Sequence, residues 1–161
     1  MLTIETVLPG APAAASILRR YTSEVASRWY GRPATEDEVD QALHDEPSDD
    51  LTGTTGVLLV ALDDGVPVAC AGARFRGDVA ELTKVFTLGE ARGRGVGRLM
   101  VRAVERVCAE RGVDTVQLDT RGELAEACAL YERLGYQRVE PFNDEPYSDR
   151  WYRRCLAGTS A

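Results

Sequence analysis

Residues 79–111 carry the most restrictive pattern in the chain. The stretch VAELTKVFTL alternates polar and apolar side chains with the period of two that a half-buried strand requires. From Val96 onwards, Leu99, Met100, Ala103, Val104, Val107 and Cys108 recur every three or four residues, which is the spacing of a helix with one apolar face, and Gly112 stands where such a helix would close. Between them lies EARGRGVGRL (90–99), with three glycines and three arginines in ten residues. VDTVQLD (113–119) is again a strand, so the middle of the chain is a strand–loop–helix–strand crossover.

The flanking segments restrict the fold further. GVLLVALDDGVPVACAGARFRGDVAELTKVFTL gives strands over 57–62, 66–75 and 79–88, with Asp64-Gly65 and Gly77-Asp78 as the turns of an antiparallel meander. LTIETVL supplies a first strand, Pro9 to Pro12 separate it from a helix over about 13–29, and Thr35 with Glu38 forms a capping box for a second, shorter helix ending near Pro47. After the crossover, Leu124, Ala127, Cys128, Tyr131 and Leu134 mark another helix, ended by Gly135, and YQRVEPF and RWYRRCL read as two closing strands joined by an acidic, Pro-containing loop. The order β, α, α, β, β, β, α, β, α, β, β predicts a single-domain α+β (mixed α/β) fold: a mixed central sheet of about six to seven strands with helices on both faces. One domain is expected over 1–157, with 158–161 as a frayed tail.

Composition excludes several functions. A net charge of −7 opposes general affinity for a nucleic acid backbone. No segment approaches the roughly 18 apolar residues of a membrane span, and the first twenty residues lack the basic and apolar regions of a secretory signal, so the expected location is the cytoplasm. Cys70, Cys108, Cys128 and Cys155 form no CxxC pair and His44 is the sole histidine, so no metal is expected and the thiols read as idle. The acids cluster in TEDEVDQALHDEPSDD (35–50) and NDEPYSD (143–149), either as solvated faces or as a field that draws a cationic partner.

The unpaired N–H groups of a helix start, together with the helix dipole, favour an anion there, and glycines let the ligand approach. In RGRGVG, Arg92, Gly95 and Gly97 stand as R-x-x-G-x-G; the same glycines also suit a bare strand-to-helix turn. A Walker loop is absent because no Lys-Ser or Lys-Thr follows the glycines. Gly93, Gly95 and Gly97 run G-x-G-x-G rather than the dinucleotide G-x-G-x-x-G, and an antiparallel meander precedes them where that motif opens parallel units.

Taken with AELTKVFTL before it and ALYERLGY (129–136) after it, in the same order and at the same spacing, this segment resembles the GNAT superfamily of acyl-CoA-dependent N-acyltransferases. The likeness covers residues 79–140 closely. It implies that the amides of Arg92, Gly93, Arg94, Gly95, Val96 and Gly97, with Arg98 beside them, cradle the pyrophosphate of acetyl-CoA. It implies also that the strand edge through Val85, Phe86 and Thr87 pairs with the pantetheine arm. An amine of pKa near 10.4 costs about 4.6 kcal/mol to deprotonate at pH 7. By the resemblance Glu81 is the general base that takes this proton, while its position also suits an ordinary solvated strand residue. Period-two alternation would set Glu81, Thr83, Val85 and Thr87 on one face. A strand N–H near Phe86 or Thr87 would steady the oxyanion. Tyr131 corresponds to the tyrosine that hydrogen-bonds the leaving thiolate, or else it merely packs. One departure is Leu124, where the family commonly has Asn; Thr120 or Arg121 are the polar candidates to replace it.

The expected function is acetyl transfer from acetyl-CoA to a primary amine of a cationic small-molecule or peptide acceptor, with a homodimer as the expected assembly. Trp29, Tyr30, Phe142, Tyr147 and Trp151 are candidates to line the acceptor pocket. The rival classes are a non-catalytic acyl-CoA-binding module and a nucleotide-dependent oxidoreductase.

Overall fold

Seven strands and four helices follow one another in the order read from the sequence, in a computed structural model that describes residues 1–156. The expected tail, 158–161, lies outside the described residues. The strands are β1 (Leu2–Thr6), β2 (Gly56–Asp63), β3 (Val66–Arg76), β4 (Val79–Thr87), β5 (Thr115–Thr120), β6 (Gln137–Val139) and β7 (Arg150–Cys155), and the sheet order is β1-β2-β3-β4-β5-β7-β6. Only β4 and β5 pair in parallel; every other ladder is antiparallel.

The helices are α1 (Pro12–Tyr30), α2 (Glu36–Asp45), α3 (Val96–Glu110) and α4 (Ala125–Arg133). Pro12 opens α1, where its missing N–H is no loss, and both bonds of the Thr35/Glu38 capping box form at α2. The apolar stripe of α3 buries Val96, Met100, Val101, Val104 and Cys108 against one face of the sheet, where α4 adds Cys128, Tyr131 and Leu134. On the opposite face, Ala14, Ile17 and Leu18 of α1 cover Leu58, Val60, Cys70 and Phe86. Each fully buried aliphatic of these two layers contributes about 1.5–3 kcal/mol of transfer free energy. No helix among the described residues is long and apolar enough to cross a membrane.

Two features depart from the sequence reading, and both shape the site. The strand expected over 136–142 shrinks to three residues. Pro141 has no N–H for a ladder, and the following loop turns inward instead: Asn143 Nδ2 and Ser148 Oγ donate to Asp119 at the end of β5, at 2.9 and 2.6 Å. The second departure is a break in β4. The register against β3 shifts between Cys70 and Gly72, and Lys84 takes a left-handed φ of 56°. Directly opposite residues of an antiparallel ladder share a face, so Leu82 opposite Ala73 lies on the α3 side, and Phe86 opposite Cys70 lies on the α1 side. The extra residue therefore overturns strict alternation. Glu81 and Thr83 face the α1 side; Val85 packs against the α3-side core, and Thr87 stands opposite Ala69 of that core.

Candidate active site

The β4–β5 ladder joins only Val79, Ala80 and Glu81 to Thr115, Val116 and Gln117. Beyond Glu81 the two strands diverge, because β5 continues its pairing with β7 to Thr120 while β4 stays with β3 to Thr87. The divergence leaves the β4 edge at Val85, Phe86 and Thr87 without a strand partner on that side. A cavity of about 2150 Å³ runs through the opening from one face of the sheet to the other. It exceeds the roughly 300–1,000 Å³ of a pocket for one drug-sized ligand, which leaves room for a long ligand and a second, smaller one.

At one end of this cavity is the start of α3. Gly93 and Gly95 have φ of 82° and 76°, a conformation that L residues with a Cβ rarely adopt, and Gly95 is the residue at which the helix begins. A Cβ on either would meet nothing within 4 Å, so these glycines serve backbone shape and not space. Gly97 is the reverse case: a Cβ there would lie 3.2 Å from Leu130 Cδ2 and 3.7 Å from Thr87 Oγ1, so it sets the close approach of α3 to β4 and α4. The helix-start N–H groups face a site lined by Arg92, Gly93, Gly95, Val96, Gly97 and Arg98.

The arginines divide their work. Arg92 Nε donates to the Thr87 carbonyl at 3.0 Å and Nη2 to Glu24 of α1 at 2.7 Å, so its guanidinium ties the loop to the end of β4 and to α1. Arg94, expected to contribute its backbone amide, sends its side chain away from the cavity wall to pair with Asp63 of β2 at 3.3 Å. Arg98 is exposed on the wall, and so is Arg133 of α4; neither has an acidic partner among the described residues.

Tyr131 reaches the cavity from α4. It is buried, with Tyr136 and Tyr152 at ring distances of 6.0 and 6.1 Å, and its hydroxyl makes no hydrogen bond to a described residue. Burial pushes the hydroxyl's pKa above its ordinary value, so it stays protonated and able to donate. Leu124 also lines the cavity, and the nearby Arg121 is held by Glu123 at 2.8 Å and lies 5.1 Å from the Trp29 ring centre.

The other half of the cavity, on the α1 side, is richer in charge than the sequence indicated. Glu81 sits at the vertex of the opening, but Arg76 Nε holds its carboxylate at 2.7 Å. Glu145, in the loop that Asp119 anchors, has a half-buried carboxylate that no side chain among the described residues hydrogen-bonds; its donor is the Tyr147 backbone N–H, which with Lys84 partly offsets the rise described next. Burial, then the negative charges of Glu46 and Asp119, raise its pKa. Lys84, re-aimed by the break in β4, is 7% exposed. Its Nζ donates to the Glu46 carbonyl at 3.3 Å and stands 5.7 Å from the Tyr21 ring centre, and burial lowers its pKa. Neither Lys84 nor Glu145 was singled out from sequence: alternation sends residue 84 to the wrong face, and Glu145 looked like one acid in a run. Trp29, Tyr30 and Tyr147 line the rim as expected, with Trp29 and Tyr147 edge to face at 4.9 Å. Phe142 and Trp151 do not; Trp151 instead donates to Asn143 at 2.9 Å and fixes the loop.

Known proteins share this fold. The sequence model of the acetyltransferase (GNAT) family matches residues 20–136. An uncharacterised N-acetyltransferase of Schizosaccharomyces pombe is 29% identical over 102 residues, covering 62% of this chain and 63% of that protein. The matched segments span from about a quarter to just under two thirds of the curated relatives' own length. Among solved structures, an acetyltransferase of the GNAT family from Staphylococcus aureus superposes with a TM-score of 0.78 at 18% identity, covering 97% of this chain and 99% of that one. The PaiA N-acetyltransferase of Thermoplasma acidophilum, solved in complex with coenzyme A, superposes with a TM-score of 0.76 at 13% identity, covering 96% and 99%.

Proposed function

The chain belongs to the acetyltransferase (GNAT) family, and from that premise we propose that it transfers an acetyl group from acetyl-CoA to the primary amine of a small acceptor held on the α1 side of the cavity. The observation that carries the proposal is the continuity of one cavity from the helix-start amides, past the open edge of β4, to a carboxylate-lined lobe on the other face. Coenzyme A in the Thermoplasma protein of the same fold supports the choice of donor.

The residues present fit the donor. The amides after Gly93 and Gly95 would hold its pyrophosphate, and Arg98 and Arg133, free of acidic partners among the described residues, would face its phosphates. The edge of β4 at Val85, Phe86 and Thr87 would hydrogen-bond the amide-rich arm as a missing strand would. Acetyl-CoA supplies a thioester carbonyl open to attack and a thiolate that can leave.

The protein's own groups do the rest. The acceptor enters as an ammonium drawn by Glu145, Glu46 and Asp119 and gives up its proton to a carboxylate. We assign that role to Glu145, because burial and the charges of Glu46 and Asp119 raise its proton affinity in spite of the Tyr147 backbone N–H, whereas Arg76 already engages the charge of Glu81. Glu81 keeps a claim through its place at the vertex, and an ordered water would let it act at a distance. Tyr131 then donates a hydrogen bond to the departing sulfur. Because its pKa is raised further above that of a thiol, the hydroxyl shares its proton rather than losing it. The test is release of free thiol from acetyl-CoA on addition of primary amines to the purified protein. Amine-dependent release supports the proposal, and a protein that binds coenzyme A but acetylates no amine refutes it.

A further inference from the structure

Given the acetyl-transfer reading above, on which this inference rests, we infer that the acceptor carries a carboxylate beside its amine, as an amino acid does, and that the Lys84 ammonium receives it.

The argument starts from how the other cations around the lobe are spent. Arg74 is bound to Asp50 at 2.8 Å and Arg76 to Glu81 at 2.7 Å; Arg121 stands 2.8 Å from a Glu123 oxygen and over the Trp29 ring, although its Nη1 makes no hydrogen bond to a described residue. Lys84 differs. The nearest carboxylate oxygen to its Nζ belongs to Glu46 at 3.9 Å, beyond hydrogen-bond reach, on a side chain that is itself largely exposed. Its hydrogen bond goes to a backbone carbonyl. A buried ammonium whose one ion-pair partner among the described residues is a distant, exposed carboxylate is costly to keep, and here the backbone adds to that cost, since a left-handed φ at a residue with a Cβ is strained. The strain has one visible effect. Regular alternation would put residue 84 on the α3 side; the break turns it to the α1 side, beside Tyr21 and Glu46 and on the cavity wall.

The lobe is therefore two-signed: a buried cation on the β4 side, and the Glu145 carboxylate, which feels the charges of Glu46, Asp119 and Lys84, on the loop side. A diamine would set one of its charges against Lys84, whereas a zwitterion satisfies both poles. A charge-assisted hydrogen bond gained by the substrate carboxylate favours it on the order of tenfold to a hundredfold over the same amine without the carboxylate.

The test pairs amino acids with the amines left when their carboxyl group is removed: L-leucine with isoamylamine, L-phenylalanine with phenethylamine, and L-lysine with cadaverine. Thiol release at saturating acetyl-CoA gives kcat/KM for each. We expect at least one pair to favour the amino acid by about tenfold or more, this ratio to fall to near one in Lys84→Met, and the ratio to survive in Lys84→Arg. Decarboxylated amines that match or exceed their amino acids, or an unchanged ratio in Lys84→Met, overturn the inference. Should Lys84→Met fail to fold, the wild-type and Lys84→Arg ratios decide. The rise in melting temperature with coenzyme A separates the two readings. If it occurs but none of the six compounds reacts, the amino-acid inference falls and the donor site stands; if it does not occur, the acetyl-transfer reading falls and takes the inference with it.

Discussion

Gly95→Ala isolates what the left-handed turn before α3 contributes. The added methyl meets nothing within 4 Å, so no clash enters the reckoning and the whole effect is conformational. Holding an L residue at φ 76° costs about 1–2 kcal/mol. That cost has two outlets. If the loop keeps its shape without ligand, the free protein loses the full amount, and at about 2–4 °C per kcal/mol for a chain of this size its melting temperature falls by about 2–8 °C. If the loop relaxes, the free protein melts as before and coenzyme A must restore the shape, so affinity drops by about 5- to 30-fold. The sum of the two losses is the fixed quantity. Thermal melts with and without coenzyme A measure both, because ligand at a hundred times its Kd adds about 2.7 kcal/mol of stability, or about 5–11 °C. Gly89→Ala is the control, since that glycine has neither a positive φ nor a neighbour within 4 Å. A Gly95→Ala protein that melts and binds coenzyme A like the wild type would refute the claim that this turn's shape holds the ligand.

Two further predictions concern the chemistry. In Glu145→Gln the acid limb of kcat, set by a carboxyl titrating above the usual range, disappears, whereas Glu81→Gln leaves that limb in place; the opposite pattern in pH–rate profiles would transfer the role to Glu81. Because a raised carboxyl pKa makes the charged form unfavourable in the folded state, Glu145→Gln also raises the melting temperature at pH 8 and leaves it unchanged at pH 4. Tyr131→Phe lowers kcat by about tenfold or more while leaving the KM for acetyl-CoA unaltered, since the hydroxyl is used only as the sulfur departs; a rise in KM with constant kcat would make it a binding residue.

The order of elements was legible because each rests on local pattern: the stripe from Val96 to Cys108, the capping box at Thr35, the turns at Gly65 and Gly77. The shape of the turn before α3 was legible for a related reason. Helix-start amides act through the backbone, and a glycine pattern reports backbone shape directly. The α1 side of the cavity was not. Its cation reaches the cavity through one extra residue in β4, and a β-bulge built on lysine leaves no glycine to mark it. Which acid of 143–149 turns inward depends on Asp119, some 24 residues earlier, receiving Asn143 and Ser148. Arg92 and Arg94 look equivalent in sequence, yet one bonds to Thr87 and Glu24 and the other to Asp63, partners set by the surrounding tertiary fold.

Amide hydrogen exchange with and without coenzyme A tests the central claim most directly. The account predicts slowed exchange in two separate segments, at Gly93–Arg98 around the start of α3 and at Val85–Thr87 on the open edge of β4, with β1 and β2 unchanged. Coenzyme A that binds and slows exchange elsewhere, leaving both segments as they were, would contradict it.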